Sequence, residues 1–274
     1  MINLFDNRRT RILAHALSKK TFGGSFYHFV RNVFAPTCSV LASRRIESMH
    51  REGECRKIFF KGYTEPFFFP VDMDMLMLYQ IIAEQFYPWT WHYYEVEQTR
   101  VDNDVVFDCG AAEGLFSYLV YKRADHVFCF EPLVDFHHCL EKTFENVDNV
   151  TIVPSALGDK TGSAYLKEDG IVSTITQEET PCKVELDTID NFCSRTGARP
   201  SYIKADLEGH EMKLLEGARD TIRMLKPRIA ITTYHKPGDA LALMQVLKDI
   251  NPEYHFRLKG IEDVRGEPVM LHAW

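Results

Sequence analysis

The residues most able to do chemistry fall in short loops that each follow an apolar run. Asp108-Cys109-Gly110-Ala111-Ala112-Glu113-Gly114 closes the first such run. Its glycines permit a sharp turn and a close backbone approach to a ligand, and the helix expected next offers unpaired amides and the positive end of its dipole. The dinucleotide fingerprint is absent, because Ala112 and Leu115 stand where it would place glycine and glycine or alanine. An acid followed by this glycine spacing suits a ligand with an amino-acid end and no pyrophosphate; a purely structural turn is the plain alternative. Glu131 follows Val127–Phe130, 23 residues beyond Asp108. An acid there can accept hydrogen bonds from both ribose hydroxyls, or it can cap a helix or face solvent. Small residues at Ser155 and Ala156, after Val150–Val153, would let backbone amides reach the edge of a base.

A fourth loop carries the reactive groups. Asp206, Glu208, His210 and Glu211 follow Tyr202–Ala205, and His235 follows Ile229–Thr233. Asp206, Glu208 and His235 are the leading candidates for taking a proton from an acceptor hydroxyl. Glu211 serves equally well as a complement to a helix dipole. Asp206 with Glu208 or another carboxylate could hold Mg²⁺, but no complete oxygen-ligand loop is present, and no metal is expected.

These loops need a scaffold that brings strand ends together. From about residue 100, short apolar runs alternate with helical stretches, which implies an α/β fold: a Rossmann-like, doubly wound, mostly parallel sheet with helices on both faces. Ligands of such sheets bind beyond the carboxyl ends of the strands, at the switch in strand order. Helices are expected over 114–122, 134–146, 210–225 and 238–249. Residues 170–174 interrupt the pattern as an active-site flap or a plain hairpin. Before residue 93 the reading is a mainly helical N-terminal region: helices over 8–20, 25–50 and 74–86, with a strand and turn near 57–69. The domain division is therefore 1–92 and 93–274.

Composition sets the outer limits. The 274 residues are 45% hydrophobic and 26% charged, enough for a sizeable core. Residues 1–62 carry 12 Lys and Arg against 4 Asp and Glu, and the rest carries 20 against 35. The acidic body argues against a nucleic-acid partner. The basic segment is either a solvated face or a contact for an anionic surface. Seven cysteines without a C-x-x-C pair read as free thiols in a reducing compartment. No apolar run spans a bilayer and Met1–Asp6 lacks a secretory layout, so a cytoplasmic protein is expected.

Val105–Gly114, Phe130-Glu131-Pro132, Asn149–Asp159, Val184–Asn191 and Ile203–Glu211 together resemble the FkbM family of methyltransferases. The last stretch is the most distinctive, and the matching motifs cover about residues 93–235. The departures are Cys109 and the pair Ala112-Glu113, where the family commonly has asparagine first. The resemblance implies S-adenosyl-L-methionine as methyl donor and O-methylation of a small-molecule or glycan acceptor, often a sugar or polyketide hydroxyl. It implies that Asp108, Gly110, Ala111 and Gly114 surround the methionine part, that Glu131 takes the ribose and that Ser155 and Ala156 lie beside the adenine. Asp206 would face the methionine amine or the incoming acceptor.

Overall fold

The computed structural model describes residues 8–19, 26–169, 172–176 and 178–274, with side chains omitted over 167–175. In chain order the elements are α1 (Arg8–Lys19), α2 (Phe26–Val33), α3 (Cys38–Arg45), β1 (Ile46–Glu52), β2 (Cys55–Phe60), β3 (Phe67–Pro70) and α4 (Met75–Gln85). The second half of the order begins with β4 (Val105–Cys109), α5 (Leu115–Val120), β5 (His126–Phe130), α6 (Val134–Phe144) and β6 (Val150–Val153). Next come β7 (Ala156–Leu157), β8 (Gly162–Asp169), β9 (Val172–Thr176), β10 (Cys182–Asp187) and α7 (Ile189–Thr196). The chain closes with β11 (Tyr202–Ala205), α8 (Glu211–Glu216), α9 (Arg219–Leu225), β12 (Arg228–Thr232), α10 (Asp239–Ile250), β13 (Phe256–Lys259) and β14 (Met270–Ala273).

Seven strands form the central sheet in the order β13-β14-β12-β11-β4-β5-β6. The pairs from β12 through β6 are parallel, while β14 runs antiparallel to both neighbours. From β4 the chain winds outward through β5 to β6, then returns to β11 on the other side. The switch point therefore lies between β4 and β11. These strands read as near-continuous apolar runs because both faces are covered. On one face Phe107, Ile203 and Ile229 pack with Leu214, Leu215, Leu243 and Leu247 of α8 and α10. On the other, Val106, Tyr202 and Ala230 share a cluster with Phe60, Phe67, Leu78 and Ile82 from the N-terminal region. The expected boundary at 92/93 falls in irregular chain between α4 and β4, with this cluster continuous across it.

The described part of the N-terminal region holds α1 to α4, with β1, β2 and β3 forming an antiparallel sheet beside them where one strand was expected. Three expectations are corrected. The helix read over 25–50 is divided into α2 and α3 by irregular chain at 34–37 and gives way at Ile46 to a strand, held by pairing such as Met49 with Ile58; tertiary pairing overrides a poorly patterned local preference there. The cysteines are not all free, because Cys55 of β2 and Cys139 of α6 form a disulfide with their Cα atoms 6.2 Å apart. Packing of β3 on α6 brings together two residues 84 positions apart. The helix expected over 210–225 is divided at Gly217-Ala218 into α8 and α9. Of the stretch 170–174, Gly170 and Ile171 lie outside the described residues and the remainder belongs to β9. Among the described residues no helix is long and apolar enough to cross a membrane.

Candidate functional site

A cavity of about 410 Å³ opens at the switch point. Its wall brings together Gly110, Ala111, Glu131, Ser155, Ala156, Asp206 and Glu208, seven of the residues singled out from sequence. Asp108, Gly114 and His235 do not line it.

The loop after β4 is fixed from beneath. Gly110 has φ +75°, and a Cβ there would lie 2.1 Å from the Asp206 carbonyl oxygen. Its bareness thus lets the β4 and β11 loops touch. The amides of Gly110 and Ala111 both donate to the Phe130 carbonyl, at 3.0 Å each, so they are spent on the loop itself. Gly114 faces Leu140 of α6 and permits helix packing. Asp108 is fully buried and pairs at 2.9 Å with Lys204, its cross-strand neighbour on β11. Ser117 Oγ donates to the other Asp108 oxygen at 2.7 Å, and Lys204 Nζ also donates to the Gly110 carbonyl at 2.6 Å.

Glu131 is 5% exposed and holds its carboxylate against two backbone amides. Leu133 N–H donates to Oε1 and Ala112 N–H to Oε2, each at 2.8 Å. Each oxygen keeps a second lone pair for a hydroxyl donor. Burial pushes this carboxyl up to about 7 against the pull of those amides. Burial likewise raises Glu113, on the same wall, to about 7. Ser155 is buried on the wall, and its Oγ has no hydrogen-bond partner.

Across the cavity, Asp206 accepts from Tyr94 Oη at 2.6 Å and from Thr232 Oγ1 at 3.0 Å. Burial would raise the Asp206 carboxyl, but Lys204, His235 and the Tyr94 hydroxyl more than offset it and hold it below its ordinary value. His235 lies with Nδ1 2.9 Å from Glu211 Oε1, and Nε2 3.2 Å from Glu208 Oε2 and 3.6 Å from Asp206 Oδ1. Burial favours the neutral ring, yet those three carboxylates outweigh it and hold the imidazole up at about 10. In that state His235 is a cation, and the proton acceptors on the wall are carboxylates. Glu208 takes a left-handed φ of +51°, uncommon for a residue with a side chain and typical of constrained functional turns. His210 caps α8 without a side-chain cap bond.

Three contributors were not legible beforehand. Lys204 is one, although a lysine inside a buried strand, two residues before Asp206 on the same face, signals a partnered charge. Tyr94 is the second, in irregular chain with no pattern to mark it. The third is one face of α4: Met77, Gln80, Ile81 and Glu84 line the cavity. Their i, i+3, i+4, i+7 spacing is the available signal, and it reads as ordinary amphipathicity.

The seven-stranded sheet, with its largely parallel strands and its cavity at the switch point, defines a Rossmann-like α/β protein. Residues 108–258, more than half of the chain, match the methyltransferase FkbM domain, and the chain belongs to that family. In structure it is similar to methyltransferase FkbM from Methylobacillus flagellatus KT, with TM-score 0.52 and 20% identity. That match covers 94% of this chain and 65% of the Methylobacillus chain, so this sequence spans about two thirds of its relative. Fibrillarin from Aeropyrum pernix, a structure with natively bound S-adenosyl-L-methionine, matches with TM-score 0.44 and 10% identity over 84% of this chain and 99% of its own. No functionally curated protein matches the sequence.

Proposed function

We propose that this protein is an S-adenosyl-L-methionine-dependent methyltransferase that methylates a hydroxyl of a sugar, glycolipid or secondary metabolite. The observation that carries the reading is the switch-point wall, where Glu131 and the unpartnered Ser155 hydroxyl face one cavity. A buried hydroxyl without a partner costs free energy until a ligand supplies one, so it fits the polar edge of a base. Glu131 fits a ribose, since both its oxygens are fixed by amides and retain acceptor capacity. Asp206, Lys204 and the Tyr94 hydroxyl form the polar end opposite and suit a zwitterionic amino-acid group.

The bound donor supplies an already activated sulfonium methyl. The residues here align the acceptor at about 3 Å and accept its proton. Of the two carboxylates on the cavity wall, Glu208 is left to take that proton, since Asp206 already accepts from Tyr94 and Thr232; His235 balances their charge. Support for a glycan-like acceptor comes from an adjoining cavity of about 640 Å³ that shares Gln85 and Tyr94 with the first. Its lining sets the rings of Tyr63, Tyr93 and Phe116 beside Arg100 and Arg257. Apolar faces with a few polar groups are the usual make-up of a small-molecule site.

Calorimetry with S-adenosylhomocysteine and, separately, with NAD tests the cofactor. Binding of the first and not the second is expected; the reverse overturns the reading. Labelled methyl donor with a panel of glycans and lipids then tests the acceptor, and transfer only to a protein or nucleic-acid substrate refutes the sugar, glycolipid or metabolite assignment.

A further inference from the structure

The second cluster of interest lies directly behind that wall. Asp206 follows β11 and Glu211 opens α8 at the far end of the same loop, while His235 follows β12, so two loops at the carboxyl edge converge there. One donor atom from each lies within 4.8 Å of the others. Ligands at about 2.1 Å from a common ion sit up to roughly 4.2 Å apart, so small side-chain rotations complete such a site. The cluster is also buried. The His235 side chain is 9% exposed and that of Glu211 1%.

One of its polar atoms has no hydrogen-bond partner. Glu211 Oε2 is buried and unsatisfied, whereas His235 Nε2 lies 3.2 Å from Glu208 Oε2. Buried polar atoms are almost always paired, and an orphan carboxylate oxygen in this cluster points to a missing ligand. The charge points the same way. Asp206, Glu208 and Glu211 place three carboxylates around a single imidazole. Lys204, the nearest other cation on the wall, is engaged by Asp108.

We propose that Asp206, Glu211 and His235 bind one divalent cation of the Mn²⁺ or Mg²⁺ type beside the methyl-transfer cavity. Two carboxylates with one imidazole favour these ions, whereas zinc or copper would call for more nitrogen or sulfur. His235 ligates as the neutral ring, so the ion takes the place of the proton that its carboxylate neighbours otherwise hold there. Water or an acceptor oxygen fills the remaining positions. Because Asp206 also faces the cavity, the ion lies where it would lower the pKa of an acceptor hydroxyl. That catalytic role rests on the methyltransferase reading; the binding of the ion does not.

The test uses the full chain, stripped with a chelator and titrated with Mn²⁺ while the free-ion EPR signal is followed. One saturable site per chain is expected, with Mg²⁺ competing. Glu211→Gln and His235→Ala should each weaken it at least tenfold, with folding checked by circular dichroism. Pulsed EPR on the unmutated protein should show nitrogen coupling from one imidazole, a readout independent of how the variants fold. No saturable site, no nitrogen coupling, or equal affinity in both folded variants overturns the proposal and leaves a metal-free charge network. S-adenosylhomocysteine calorimetry on the same sample reports separately on the cofactor reading, so failure of one is distinguishable from failure of the other.

Discussion

Gly110→Ala separates two physical costs that usually arrive together. The residue sits at φ +75°, where an alanine side chain costs about 1 kcal/mol more than glycine. Its new Cβ would also stand 2.1 Å from the Asp206 carbonyl oxygen and 3.1 Å from Leu207 Cδ2. The near atom is backbone, so relief requires the β4 and β11 loops to part, and overpacking of this kind costs about 1–3 kcal/mol. The expected loss is therefore about 2–4 kcal/mol. Gly197, at the end of α7, supplies the control: its φ is also +75°, but a Cβ there meets nothing within 4 Å. Gly197→Ala should cost only the backbone part, about 1 kcal/mol. Urea unfolding of the three proteins measures both values, and calorimetry with S-adenosylhomocysteine shows whether parting the loops weakens binding. A Gly110→Ala loss no larger than that of Gly197→Ala would mean that the two loops do not touch as described.

Lys204→Met should destabilise the protein by about 3–5 kcal/mol in urea unfolding, because it strands the buried Asp108 carboxylate. Adding Asp108→Asn should recover much of that loss; a purely additive double variant would show that the two groups do not interact. S-adenosylhomocysteine affinity should rise about tenfold from pH 6 to pH 8, since burial pushes Glu131 up to about 7 and in the proposed site it would accept ribose hydroxyls best when ionised. Glu131→Gln should flatten that slope, and a slope that survives assigns the proton elsewhere, Glu113 being the neighbour with a similar value. Under denaturing, non-reducing conditions iodoacetamide should label five cysteines and, after reduction, seven. Closing an 84-residue separation should also make the oxidised form about 4–5 kcal/mol more stable than the reduced one. Seven labelled residues before reduction would remove the bridge.

The loops that follow β4, β5, β6 and β11 were legible because each carries its chemistry immediately after a short apolar run, and the parallel sheet gathers those ends along one edge. What the sequence concealed required knowledge of which surfaces meet. Asp108 looked like a ligand group, yet its cross-strand neighbour is Lys204, and the pair forms the floor beneath the loop. Gly114 looked like part of the cradle, yet it faces Leu140. Both residues sit in the motif for packing reasons that local spacing does not distinguish from binding. Cys55 and Cys139 carried no motif, because only the contact of β3 with α6 makes them neighbours. The wall formed by α4 was hidden for a similar reason, since a helix face covering a ligand has the same periodicity as one covering a core.

The Cys55–Cys139 bridge also has a mechanical consequence. Tension applied between the two ends of the chain crosses the sulfur–sulfur bond and bypasses residues 56–138. That bypassed ring contains α4, the Gly110 loop and Glu131, three sides of the cavity. Pulled to full extension while oxidised, the protein should come up short by about 280 Å, the contour of 84 residues at roughly 3.4 Å each less the span of the bridge. A backbone cut inside the ring would likewise leave both pieces tied together until the disulfide is reduced.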